Sequence, residues 1–449
     1  MNLQAQLWQA GPPDGSYGEA ASSHNKSPTI HRWANWIAGF SGEFAHNAIA
    51  QFLPSTIPET TLGQASFVVL DPFAGVGTTL VEANHLGLNS IGFEINPFAA
   101  MVCRVKLGAE GICLQELWDS LNGYEKFMES PPCGEPNSSP PAGFKSRIPL
   151  FSPAVERKVL FTLDYLNGLT PQVRDIFRVA FASVMVDFSN YSYEPSLSSR
   201  PGAGKPLVDD AEVGKILSAK LSDMAVDIAG FQREASSREH RPRWQIHERS
   251  FFDAESCLAA ASVDLVVTSP PYMNNYHYVR NSRPQLFWSG LVESPQELKR
   301  LETDNFGKSW QTVRNTGPLP LVPRLAGLEE EIAEIRGTNS DRGVYGGNGW
   351  ANYVTAYMND LDKFCALLAA ILKPGGAAVV VVGNSIVQGR EIKVEERLCE
   401  IAELRDLSVL SVAKSRERVG TSIVNSGARQ RSRSKSALYD AAVAIRRPV

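Results

Sequence analysis

Residues 66–95 read SFVVLDPFAGVGTTLVEANHLGLNSIGFEI. The apolar run from Phe67 to Leu70 is too short for a helix and stops at Asp71-Pro72, so it reads as a buried strand feeding a turn. Two glycines, Gly75 and Gly77, occupy that turn. The segment LVEANHLG then carries apolar residues at helical spacing, with Thr78-Thr79 placed to cap it and Gly87 to end it. NSIGFEI supplies a second short strand that closes near Glu94. Strand, glycine turn, helix, strand is one βαβ unit.

Working outward, RWQIHERSFFDA and VDLVVTSPPY repeat the pattern of short β-rich runs closed by polar or proline punctuation. Late in the chain the helical stretch YVTAYMNDLDKFCALLAAIL runs into a turn at KPGG. AAVVVVG follows, a continuous apolar run suited to a central strand covered on both faces. The tail segments SVLSVAKS and ALYDAAVAI suit an antiparallel hairpin at the sheet edge. The expected architecture is α/β, a doubly wound and mostly parallel sheet. Two stretches, about 105–240 and about 282–350, exceed what a crossover needs and read as insertions. The first carries the helical patterns VERKVLFTLDYLNGL, VRDIFRVAFASVMVDF and GKILSAKLSDMAVDIAGF, which suggest a small helical subdomain. Residues 1–28, rich in Gly, Ser, Asn and Pro without period, read as a loosely ordered arm.

The chain has 449 residues, 43% hydrophobic and 20% charged, with a net charge of −4. That balance speaks against indiscriminate coating of nucleic acid, which requires many Lys and Arg to neutralise phosphates. A local positive strip is nevertheless visible: Arg416, Arg418, Arg429, Arg431 and Arg433 lie between Lys414 and Lys435 with Glu417 alone opposing them. Its alternative reading is a solvated loop. No run approaches the roughly 18 apolar residues of a membrane span, and the polar opening lacks the pattern of a secretory signal. The expectation is a cytoplasmic protein with no membrane partner. Six cysteines stand singly, without CxxC or a nearby His pair, so no metal site is expected.

Chemistry concentrates in two places. In Asp71-Pro72-Phe73-Ala74-Gly75-Val76-Gly77-Thr78-Thr79 the glycines let backbone approach a ligand, and the helix start offers free N–H groups. The segment is a cofactor cradle. It fails as a dinucleotide fingerprint because Leu80 stands where the third glycine belongs, and it lacks the GKS or GKT ending of a P-loop. Gly202-Ala203-Gly204-Lys205-Pro206 is discarded as a P-loop on the same grounds. Glu94, at the next strand end, is placed to accept hydrogen bonds from both hydroxyls of a ribose. Asp253, expected at the end of a further strand, is a candidate for an adenine amino group or else an acidic helix cap. The second place is Thr268-Ser269-Pro270-Pro271-Tyr272, directly after the strand DLVV. Two prolines stiffen this loop, so the Ser269 hydroxyl and the Pro270 carbonyl can hold an amino group with its lone pair toward an electrophile, while Tyr272 offers a flat stacking face.

DPFAGVGTT together with TSPPY resembles the DNA amino-methyltransferase family, whose bacterial members modify cytosine N4 or adenine N6. The resemblance covers roughly residues 31–106 and 244–449. It implies a seven-stranded Rossmann-like methyltransferase sheet over 29–106 and 241–449, with 107–240 as a helical insertion and candidate target-recognition region. It further implies S-adenosylmethionine as cofactor and DNA as partner. The roles carried over are cofactor binding by Asp71, Pro72, Phe73, Gly75, Gly77, Thr78 and Thr79, and holding of the target amine by Ser269, Pro270, Pro271 and Tyr272. HRWANWIAGFSGEF, from His31, resembles the element that completes the cofactor site, and Glu94-Ile95-Asn96-Pro97 the acidic strand end. Serine in the first position of SPPY is associated in this family with cytosine N4, and aspartate with adenine N6. The second insertion, with Arg280, Lys299, Arg300, Arg314 and Arg324, is the alternative base reader. Any partner endonuclease would be a separate chain, since no nuclease motif is evident.

Overall fold

A computed structural model describes residues 17, 29–34, 36, 39–53, 67–193, 196–238, 241–274, 276–418 and 438–449. The strands are β1 (Val68–Asp71), β2 (Asn89–Phe93), β3 (Tyr191–Tyr193), β4 (Leu197–Ser199), β5 (Trp244–His247), β6 (Val263–Thr268), β7 (Leu372–Gly383), β8 (Ser385–Val387), β9 (Arg390–Ile392), β10 (Ser408–Arg418) and β11 (Leu438–Arg446). Seven of them form one sheet in the order β10-β11-β7-β6-β1-β2-β5, and β3-β4 and β8-β9 are separate two-stranded ribbons. β7, β6, β1, β2 and β5 run parallel. β11 lies antiparallel between β7 and β10, which is the expected edge hairpin.

The continuous apolar runs are explained by burial on both faces. Val69, Leu265, Val267, Val379 and Val381 pack toward the helix Gly42–Phe52, against Phe44 and Ile49. Their neighbours Leu70, Val266, Val380 and Val382 point the other way, into the cluster formed with the helices Gly347–Ile371 and Val394–Leu404. Each such side chain contributes roughly 1.5–3 kcal/mol of burial, so alternate residues bind different helical layers and fix the register. Ser41 caps the Gly42–Phe52 helix by accepting from the Phe44 N–H, and Asn96, followed by Pro97, caps Pro97–Leu107 through Phe98 and Ala99.

Two local expectations are corrected. Thr78 and Thr79 do not cap their helix. They are its first residues, because Gly77 adopts the left-handed conformation before them, and the Thr79 hydroxyl donates instead to the Val267 carbonyl at 3.0 Å. KPGG is not a turn ahead of the strand but a bulge within β7. Val263 pairs with Leu372 and Leu265 with Ala377, so Lys373 to Gly376 loop out between those pairs.

The helices Leu114–Glu129, Pro153–Asn167, Pro171–Val184 and Val213–Ser236 bury their apolar stripes in one cluster with Pro97–Leu107. The first insertion is therefore a helical layer continuous with the helices on that side of the sheet. The second insertion is also helical, with segments Arg283–Trp288, Pro295–Asp304, Trp310–Val313 and Ala326–Gly337. Among the described residues no helix is long and apolar enough to cross a membrane. The expected arm at 1–28 lies outside the described residues apart from Tyr17, and most of the basic strip, at 419–437, lies outside them too.

Candidate active site

Successive strands add to opposite sides of the sheet at β1 and β6, and at this switch point the carboxyl ends of parallel strands leave a crevice. β1 delivers Asp71 there, β2 delivers Glu94 and β6 delivers Ser269. The turn after Asp71 needs its glycines. Gly75 has φ +51° and Gly77 φ +86°, a region costly for residues with a Cβ. Space is tight as well: a Cβ on Gly75 would sit 3.1 Å from Trp36 Nε1, a close contact, and one on Gly77 would overlap Cys103 Sγ at 2.5 Å.

Glu94 holds two turns in place. One carboxylate oxygen accepts from the Gly75 N–H at 2.8 Å and the other from the Asn96 N–H at 2.7 Å. Each oxygen keeps a further lone pair, and Glu94 lines the crevice. Burial pushes its carboxyl up to about 7, aided by the nearby charge of Asp71 and opposed by the backbone donors. Burial likewise raises Asp71 to about 6, against hydrogen bonds from Thr268 and Phe73.

Asp71 also joins the two motifs. Its Oδ1 accepts from the buried Thr268 hydroxyl at 2.6 Å and from the Phe73 N–H at 3.0 Å. With the Thr79 to Val267 bond, this fastens the glycine turn to the strand that carries Ser269. Replacing Thr268 by Val leaves a buried carboxylate short of one donor, a loss of about 1–3 kcal/mol. Chemical denaturation of Thr268→Val should report that decrease, and unchanged stability would show that the link carries no weight.

The crevice is a cleft of about 560 Å³, inside the range of roughly 300–1,000 Å³ typical of small-molecule sites. Of the sequence-predicted residues, Asp71, Pro72, Phe73, Gly75, Thr78, Glu94, Ser269 and Pro271 line it together. Gly77, Thr79, Pro270 and Tyr272 are not among its lining residues. Trp36, His31 and Phe40 of the amino-terminal element line it as well. Asp253 does not reach it. β5 stops at His247, Ser250 caps a 3-10 turn over Phe251–Ser256, and Asp253 is exposed in that turn, so the expected strand end is not there. Phe251 and Phe252 face the cleft in its place.

Several lining residues escaped the sequence reading. Tyr276 and Tyr278 stand edge to face with ring centroids 5.0 Å apart, and Phe306 comes from the second insertion. Tyr193 of β3 donates to the Asn281 carbonyl at 3.0 Å and accepts from Gln285 Nε2 at 3.1 Å. The alternating tyrosines of NYHYV, two residues after SPPY, are the signal that could have found the first pair. Phe306 offers none. Among the described residues no group of His, Cys, Asp or Glu is arranged to hold a metal ion.

The arrangement thus offers one aromatic-walled cleft with a glycine turn, a carboxylate and a proline-stiffened loop on its walls. A family model described as DNA methylase matches residues 25–102. The type II methyltransferase M.BsoBI of Geobacillus stearothermophilus is 24% identical over 438 residues, covering 89% of this chain and 82% of the relative. The type II methyltransferase M.AvaI of Nostoc sp. is 23% identical over 416 residues, 84% of this chain and 79% of its own. The type II methyltransferase M.MjaII of Methanocaldococcus jannaschii matches more locally, 40% identical over 65 residues, 14% of this chain and 12% of the relative.

Proposed function

We propose that the chain is a DNA amino-methyltransferase that draws its methyl group from S-adenosylmethionine, and that it methylates the exocyclic N4 of cytosine at specific DNA sites, as the modification half of a type II system. The observation that carries the reading is the meeting of Gly75 and Ser269, 194 positions apart in sequence, on the walls of one cleft. The residues fit the cofactor. Gly75 puts bare backbone on the cleft wall, Glu94 presents a carboxylate beside it, and Phe73 and Trp36 give apolar walls. When bound, S-adenosylmethionine supplies an electrophilic methyl group on a sulfonium.

The protein's part is positioning. An aryl amine is a weak nucleophile because its lone pair is delocalised into the ring, and hydrogen bonds that localise that pair lower the barrier. In this reading the Ser269 hydroxyl and the Pro270 carbonyl hold the amine, and the prolines keep the loop from yielding. The base is out of reach inside a duplex, so it is extruded into the cleft. Tyr276 and Tyr278 then supply the stacking faces that the sequence assigned to Tyr272. Ser269 supports cytosine over adenine N6, the second reading. Digestion of DNA exposed to the enzyme, with mass identification of the methylated nucleoside, is expected to yield N4-methylcytosine. N6-methyladenine without N4-methylcytosine overturns the cytosine assignment. Tritium binding without transfer to DNA would instead favour a scaffold that has kept the fold alone. The proposed setting is the cytoplasm, with any cognate endonuclease a separate chain.

Glu94 gives the reading a pH signature. Ribose hydroxyls donate to the charged carboxylate and favour it. Below its folded value of about 7, the carboxyl must lose a proton to take them. Affinity for S-adenosylmethionine is therefore expected to rise about tenfold per pH unit from roughly pH 5.5 to 7 and then level off. Calorimetry across that range, with Glu94→Gln as a flat control, checks it. An identical slope in the Gln variant would remove Glu94 from ribose binding.

A further inference from the structure

A second cleft, of about 670 Å³, opens beside the first and is lined by Lys145, Arg147, Arg280 and Arg283 with no acidic side chain on its walls. On a chain of net charge −4 that grouping runs against the average. The cations come from distant segments. Lys145 and Arg147 lie in the first insertion and are exposed, while Arg280 is exposed at the last turn of the helix Tyr278–Asn281 that follows the catalytic loop. Arg283 braces them. Its guanidinium lies 5.2 Å over the Phe144 ring and donates to the Lys145 carbonyl, and its Nε is buried without a hydrogen-bond partner. Glu302 is the acidic group that faces Arg283. Among the described residues Lys145, Arg147 and Arg280 form no ion pair with a carboxylate.

The two clefts draw their linings from the same chain segments. Tyr191 lines the basic one and Tyr193 the candidate active site, two positions apart on β3, roughly 7 Å along a strand. Arg280 and Arg283 face the basic cleft, whereas Asn281, Ser282 and Gln285 of the same helical segment face the active site. A nucleotide placed in the active site would therefore bring its neighbours' phosphates to the cations. Ser198 and Ser199 add hydroxyl groups to that wall, which suits phosphate oxygens as well as the cations do.

We propose that this second cleft is a phosphodiester clamp, in which Lys145, Arg147 and Arg280 grip the DNA backbone next to the extruded base while Arg283 holds the 144–147 loop in place. The proposal rests on the DNA-methylating reading above. It also makes the first insertion and the helix Tyr278–Asn281 partners in DNA binding, each supplying part of the grip.

The test compares the wild type with K145A/R147A/R280A, binding a short fluorescent DNA duplex that the wild type methylates, over a series of salt concentrations. Three lost phosphate contacts should lower the slope of log affinity against log salt by roughly three, at about 0.9 per contact. Affinity should fall by tenfold or more near physiological salt. Calorimetric affinity for S-adenosylmethionine and the thermal unfolding midpoint should stay at wild-type values. If the triple variant folds poorly, the single variants R147Q and R280Q should each lower the slope by about one. A wild-type slope in variants that still fold overturns the clamp while leaving the methyltransferase reading intact. A wild type that neither binds nor methylates DNA overturns both. A loss seen with an RNA duplex and not with DNA also rejects the clamp as proposed.

Discussion

Gly75→Leu is expected to yield a folded protein that takes up S-adenosylmethionine at least a hundredfold more weakly than the wild type. Two effects act at this position. Left-handed backbone at φ +51° costs a residue with a side chain about 1–2 kcal/mol, modest beside a typical stability of about 5–15 kcal/mol. The larger effect is steric. A Cβ already meets the Trp36 indole at 3.1 Å, so the remaining carbons of leucine must displace Trp36 or enter the cleft. Either path removes the surface on which the cofactor would lie, and it also pulls on the Gly75 N–H that anchors Glu94. Gly87→Ala separates the two effects, because Gly87 has φ +72° with nothing within 4 Å of its would-be Cβ. It should carry the backbone strain and keep full cofactor affinity. Titration calorimetry of both variants decides the matter, and wild-type affinity in Gly75→Leu would remove the glycine turn from the cofactor site.

The contrast between those glycines also shows how far the residues could be read before folding. The βαβ unit at 66–95 was legible because each element declares itself locally, through a short apolar run, a glycine pair and helical spacing. The run in β7 declared burial on both faces for the same reason, and Val379 to Val382 do alternate between two helical layers. Legibility ended where tertiary neighbours decide. Thr79 looks like a cap in sequence, yet its hydroxyl finds Val267, a residue of another strand. KPGG looks like a turn, and pairing with β6 makes it a bulge. Asp253 falls at a strand end only if β5 runs on, whereas β5 stops at His247 and Ser250 starts a 3-10 turn three residues before Asp253. Phe306 enters the cleft from an insertion whose path no local pattern encodes.

Ser269→Ala should lower kcat for methyl transfer by ~10²–10³-fold, the scale found when one preorganised hydrogen-bonding group is removed from a reacting centre. Cofactor affinity should stay within about twofold of wild type, since the cradle and Glu94 lie on β1 and β2 and the Asp71 to Thr268 link survives the change. The size of the effect follows from what the hydroxyl is asked to do. Its interaction with the amine matters most as nitrogen turns toward the electrophile, so its loss should raise the barrier more than it weakens ground-state binding. Single-turnover rates at saturating DNA separate the two. A fall in kcat with KM nearly constant assigns Ser269 to the reacting nitrogen. A rise in KM with kcat unchanged would make it a grip on the base and leave the Pro270 carbonyl to orient the amine. Transfer at the wild-type rate would deny the hydroxyl any part in the chemistry, and with it the physical basis for reading SPPY as the amine-holding loop.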